Sequence, residues 1–391
     1  MARRYFDWAA TSLPDAPLLS SALTQSLTLY GNPSSRHAEG RAARDALEHA
    51  RARCAAVLGV PPETLYFTSS GTEADNIPLL SLLRSPNPSG TLIVSAIEHP
   101  AVREPVVELG RRGFSARWLR PGSDGIVSSE ALAAEVSAAV AAGRPPKLVA
   151  VMAVNNETGA VMDVPSLVRA ARDAAGDRAR QLRFHCDAVQ AVGKIPVNLA
   201  AWGVDSAAFS AHKIGGPRGI GLLYSRRPLE PTFRGGGQEK GLRPGTENLF
   251  GAIAFAAALE TRGTELAVAE TREAALRREA AILDGIAATG RAVVIPECRK
   301  AGDPRYTPYI VQVAFPGIPA EVLVRTLDDE GVAVSTGSAC ASATAERPVL
   351  EAMGVKRELA FSAIRISQGQ STTDEDVEAL LAALRRCLSR L

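Results

Sequence analysis

Five short apolar runs, each closed by a polar cluster, constrain this chain more than any other feature in it. The runs end near residues 68, 95, 154, 186 and 209. Helix-like stretches separate several of them. Strand-length segments alternating with helical patterns predict an α/β fold, a mostly parallel sheet covered on both faces. In such a sheet ligands bind beyond the C-terminal strand ends, where all five polar clusters fall. A chain of 391 residues, 46% hydrophobic and 22% charged, can bury a core of that size and has length for about two domains.

Apolar spacing predicts helices over 12–26, 39–58 and 165–175. After a glycine-rich excursion at 235–248 it predicts one long connecting helix over 248–288. Beyond that, β-prone segments at 292–295, 309–315, 332–335 and 363–367 and helices at 319–330 and 374–390 give a βαβ-like remainder, enough for a smaller second domain. A net charge of +2 asks for neither nucleic acid nor an anionic membrane. Arg3 and Arg4 are followed by no apolar run, so no secretion signal is expected, and no segment is long and apolar enough for a bilayer. Five dispersed cysteines with no metal-like spacing suit a reducing cytoplasm. Cys54 and Cys387 in helical patterns and Cys186 in a strand read as small buried hydrophobes; Cys298 lies in a polar loop without an evident role.

The chemistry gathers around Lys213, which follows Ser210 and His212 and precedes Gly215, Gly216 and Pro217. That break places the lysine on a tight turn. An amine beside hydroxyl and imidazole groups that can bind phosphate is what pyridoxal 5'-phosphate (PLP) needs for a Schiff base and an anchor. A surface lysine in a glycine-rich turn would show the same letters. After the run at 64–68, the sequence Ser69-Ser70-Gly71-Thr72 opens a helix, a geometry that offers backbone N–H groups to a phosphate. A plain helix cap explains it equally. Asp187 ends an apolar strand, where a carboxylate needs a partner such as a pyridinium; it can also cap a helix starting at Ala188, and Gln190 shares the ambiguity. His99, before Pro100, is suited to stacking on a ring and moving protons. Arg365, inside a short strand, needs an anion: a substrate carboxylate or a structural salt bridge. Asn32 lies in a turn-rich loop as a ligand or a turn former. Cys340, among Gly, Ala, Ser and Thr, reads as an accessible thiol; nothing in the sequence shows what would favour its thiolate.

These motifs resemble, over nearly the whole chain, those of the cysteine desulfurases, PLP enzymes of the aminotransferase class V family with the fold-type I architecture. The resemblance implies a large domain over 13–258 with a mostly parallel seven-stranded sheet. It implies a smaller α/β domain from 1–12 and 259–391, carrying a mobile cysteine loop at about 335–347. Gly71, Thr72, Ser210 and His212 would bind the phosphate, with Thr246 reaching across a homodimer to the neighbouring one. Asp187 would face the pyridine nitrogen, Asn156 and Gln190 the phenolic oxygen, and His99 the ring. Asn32, Asn156 and Arg365 would bind substrate. Lys213 and Cys340 would act on L-cysteine, giving L-alanine and a persulfide for an acceptor or scaffold protein. The expected acceptors serve iron–sulfur assembly, tRNA thiolation or DNA phosphorothioation. No metal is implied, except that Cys340 can share a cluster with a partner. An aminotransferase or a C–S or selenocysteine lyase is the alternative on the same fold. Two departures concern the acceptor: the segment at 341–349 is slightly shorter than in the sulfur-delivering subgroup, and no docking tail follows Arg390.

Overall fold

The computed structural model describes residues 3–84, 89–337 and 346–391. Its strands are β1 (Arg4–Tyr5), β2 (Leu65–Thr68), β3 (Gly90–Ser95), β4 (Phe114–Leu119), β5 (Pro146–Ala150) and β6 (Arg183–Asp187), then β7 (Ser206–Ser210), β8 (Gly221–Ser225), β9 (Val293–Ile295), β10 (Ile310–Ala314), β11 (Val332–Ala333) and β12 (Ala363–Ser367). Seven of them form one sheet in the order β2-β8-β7-β6-β5-β3-β4. The five from β7 to β4 are parallel, and β8 alone runs against its neighbours β7 and β2.

Alternation along the strands explains how both faces are covered. Ile93, Val149, Phe184, Ala207 and Leu222 point to one face, packed under the helices Ala38–Leu58, Ser129–Ala141, Val164–Ala175 and Leu249–Arg262. Their neighbours Leu92, Val94, Leu148 and Ala150 point to the other, under the helix Pro100–Arg111, while Ala208 and Leu223 meet the helix Gly71–Leu80. Strand β4 has no clear apolar run because it lies at the sheet edge with only Phe114 and Leu119 buried. Strand β8 is buried at every position, and it was missed as a strand because it follows the lysine turn without a helix between.

The long helix expected over 248–288 is two, Leu249–Arg262 and Glu265–Ala287. Gly263 ends the first, and Thr264 starts the second by accepting a hydrogen bond from the Ala267 amide. Alanine on both sides hid the break. The C-terminal strands also differ from the expected βαβ order: β12, β10 and β9 form an antiparallel sheet. That sheet has its own apolar cluster, in which Phe6, Phe315, Leu323, Ile364 and Leu380 meet. Phe6 brings the N-terminus into this cluster, with β1 paired to β11 and Asp7 bridged to Ser367. Among the described residues no helix is long and apolar enough to cross a membrane.

Candidate active site

A cavity of ≈ 510 Å³ opens beyond the C-terminal ends of the parallel strands. Ten residues singled out from the sequence line it: Gly71, Thr72, His99, Asn156, Asp187, Gln190, Ser210, His212, Lys213 and Arg365. Asn32 and Thr246 are exposed and stand outside its walls. The Asn32 side chain accepts from the Ser34 amide at 2.9 Å, as a turn former does. Cys340 lies outside the described residues.

At one end the walls suit an anion. Ser70 caps the helix Gly71–Leu80 through the Glu73 amide, and Ser70, Gly71 and Thr72 at that positive helix end line the cavity. A Cβ on Gly71 would come within 2.8 Å of Val189 Cγ2 and 3.3 Å of Ser210 Cβ, so only glycine fits where helix and strand ends converge. Cys54, Cys186 and Cys387 are buried as read from the sequence, and Cys298 is exposed. His212 binds Thr11 Oγ1 through Nδ1 at 3.1 Å, and burial, with Lys213 next, pushes its pKa down to about 4. It is therefore neutral, with Nδ1 engaged by Thr11 and Nε2 left free of that contact.

The middle of the cavity is acidic. Asp187 is 6% exposed, accepts from the Val189 amide at 2.9 Å and has no ion-pair partner among the described residues. Burial raises its pKa, against the opposing pull of His99, the Val189 amide and Lys213. His99 caps the helix Pro100–Arg111, accepting from the Ala101 amide through Nδ1 at 3.1 Å, which leaves the proton on Nε2. Its pKa is lowered, first by burial. Glu98 accepts from the Met152 amide through Oε1, while its Oε2 has no partner; burial and Asp187 push it up to about 8. Behind Asp187, on the same strand face, lies a group that sequence reasoning missed. His185 is fully buried between Asp75 Oδ1 (3.1 Å) and Ser206 Oγ (2.9 Å), and burial pushes its pKa to about 3. Its one signal was a histidine two residues before Asp187, between Phe184 and Cys186 in the same strand.

The N-terminal segment, to which the sequence assigned no site role, also lines the cavity through Ala9 and Ala10. Lys213 Nζ donates to the Ala9 and Ala10 carbonyls at 2.7 and 2.8 Å, and Gln190 Nε2 donates to Ala9 at 2.8 Å. Ser12 Oγ donates to the Lys213 carbonyl, and Asp7 pairs with Arg365 at 2.8 Å. The Lys213 amine is held at about 8, chiefly by burial and then by Arg365, with Asp187 and Asp7 opposing. An amine so depressed is a usable nucleophile and base near neutral pH. The arrangement combines an anion cradle, a buried unpaired carboxylate, a neutral imidazole, a reactive amine and a guanidinium.

The family model described as aminotransferase class-V matches residues 4–380. The chain belongs to the aminotransferase class-V family. Within that family it is 36% identical to a cysteine desulfurase IscS of Salmonella arizonae over 398 residues, covering 99% of this chain and 93% of the relative. A solved NifS-like protein superimposes with a TM-score of 0.89 at 35% identity, each chain covered in full. A solved SspA in complex with cysteine superimposes with a TM-score of 0.78 at 28% identity, covering 95% of this chain and 100% of that one.

Proposed function

We propose that this chain is a PLP-dependent L-cysteine desulfurase that yields L-alanine and a persulfide on Cys340. The observation that carries the reading is one cavity lined by Lys213, Asp187, His99 and Arg365 in a chain that aligns end to end with proteins named cysteine desulfurase. PLP fits the residues present. Among the described residues Asp187 has no ion-pair partner, a role a protonated pyridine would fill, and Gln190 Oε1 is buried without a hydrogen-bond partner. Gly71, Thr72, Ser210 and His212 would hold the phosphate, Asp187 the ring nitrogen, and Asn156 and Gln190 the phenolic oxygen, with His99 against the ring. When bound, PLP supplies an electron sink for bond breaking at the substrate α-carbon.

The chain's own groups do the rest. Arg365 binds the substrate carboxylate, and Lys213, helped by His99, takes and returns protons at the α-carbon. The Cys340 thiolate forms a sulfur–sulfur bond to the substrate as its carbon–sulfur bond breaks. The electron pair stays with the carbon fragment, which gains a proton and leaves as L-alanine. Exposed Thr246 would complete the phosphate site of a second copy in a homodimer. The chain would divide into bodies at 13–258 and at 1–12 with 259–391, act in the cytoplasm, and pass sulfur to an acceptor protein.

The test assays alanine and sulfide from L-cysteine. Lys213→Ala should abolish turnover. Cys340→Ala should still bind PLP with its visible absorbance yet release little sulfide. Sulfide release at the wild-type rate from Cys340→Ala would refute persulfide formation there, and a protein colourless at saturating PLP would refute the whole reading.

A further inference from the structure

Arg365 is 2% exposed, and its donors are unequally used. Nη1 donates to the Asn156 carbonyl at 2.8 Å and to the Gly337 carbonyl at 2.7 Å. Nη2 donates to Asp7 Oδ1 at 2.8 Å, and Nε, though buried, has no partner among the described residues. A guanidinium carries five N–H donors in a fixed fork, so Nη1 is exhausted. What remains is the Nε hydrogen and one hydrogen on Nη2, and Arg365 lines the cavity. Two such donors match the two oxygens of a single carboxylate.

Asp7 is thus the fixed neighbour of any anion that Arg365 takes up. Its backbone is pinned: its carbonyl accepts from Tyr5 Oη, and the chain bridges to Ser367 beside it. Ala9 and Ala10, the next residues but one, hold the Lys213 amine. One short segment therefore touches both Lys213 and Arg365.

We propose that Asp7 is a specificity-determining residue, orienting Arg365 while opposing a carboxylate ligand on the same guanidinium, so that carboxylate binding alone stays weak and ligands that also offer an amine to the site are favoured. This rests on the reading of Arg365 as the group that binds the substrate carboxylate. Like charges a few ångströms apart in a partly dehydrated pocket repel strongly enough to change affinity on the order of five- to tenfold. Asp7 keeps about a quarter of its side chain exposed (23%), which keeps the effect at that size.

The experiment compares L-alanine with ethylamine, the same amine without the carboxylate, on the PLP-loaded protein, reading affinity from the change in visible absorbance. The alanine-to-ethylamine affinity ratio isolates what the carboxylate contributes. Arg365→Gln should collapse that ratio; if it keeps the wild-type value, the carboxylate reading of Arg365 is wrong. Asp7→Asn should raise the ratio about five- to tenfold by removing the competing charge. An unchanged or lowered ratio in Asp7→Asn, with Arg365→Gln collapsed, overturns the role of Asp7 alone. Asp7→Ala, which removes the hydrogen bond as well, serves if the asparagine protein misfolds: a purely structural Asp7 lowers its ratio, whereas a competing charge raises it.

Discussion

The depressed amine of Lys213 carries a quantitative expectation. An ordinary lysine at 10.5 is neutral in roughly 0.03% of molecules at pH 7, whereas one held at about 8 is neutral in about 9%, a gain of about three hundredfold in reactive amine. Burial is the main cause, Arg365 the next, and Asp187 and Asp7 pull the other way. In the PLP-free protein, trace acetylation of Lys213 followed by mass spectrometry should therefore rise with pH with an inflection near 8. Arg365→Gln, which removes a repelling cation, should move the inflection up. Asp187→Asn, which removes an attracting anion, should move it down. The same shift bears on stability. A lysine whose folded value lies below its unfolded one costs folding free energy, about 3 kcal/mol here, fully present below pH 8 and relieved as pH rises through 8 to 10.5. Two hydrogen bonds to Ala9 and Ala10 offset part of that cost. A Lys213 that acetylates with an inflection at the ordinary lysine value, or an Arg365→Gln protein whose inflection falls, would refute this reasoning.

Two further outcomes follow from the cavity walls. Gly71→Ala should bind PLP roughly five- to thirtyfold more weakly in equilibrium dialysis, because the added methyl displaces Val189 and Ser210, which line the cavity; unchanged affinity would remove Gly71 from the cradle. Glu98, at about 8 when folded against 4.5 unfolded, takes up a proton on folding, so its contribution is greatest below pH 4.5 and is lost as pH rises to 8. Urea unfolding of the PLP-free Glu98→Gln protein should show a pH dependence flattened by a few kcal/mol over that window, and a wild-type slope would contradict it.

Much of the fold was legible because strand and helix patterns are local. The runs at β2, β3, β5, β6 and β7 are apolar because both sheet faces are covered, and each polar cluster follows one because a strand end faces solvent or ligand. What failed locally had a physical cause in each instance. Edge strand β4 is buried only at Phe114 and Leu119, the break at Gly263 sits between two alanine-rich helices, and the antiparallel pairing of β10 with β9 and β12 depends on partners far apart in sequence. Within the site, Asp187 stood out as a carboxylate at the end of an apolar strand, Lys213 by the Ser, His and Gly residues around its turn, and His99 by its place between a strand end and Pro100. Ala9 and Ala10 could not stand out, since they act through backbone carbonyls that every residue has.

The residues alone determined the α/β class, the chemistry available and which side chains were candidates, because composition and periodicity are properties of neighbouring positions. Only the tertiary structure decided that Asp7 meets Arg365 across 358 positions, that Lys213 rests on the N-terminal segment, and that His185 is locked between Asp75 and Ser206. The reason is that burial and charge proximity, which set the amine of Lys213 near 8, are created by packing between distant segments and exist nowhere in the unfolded chain.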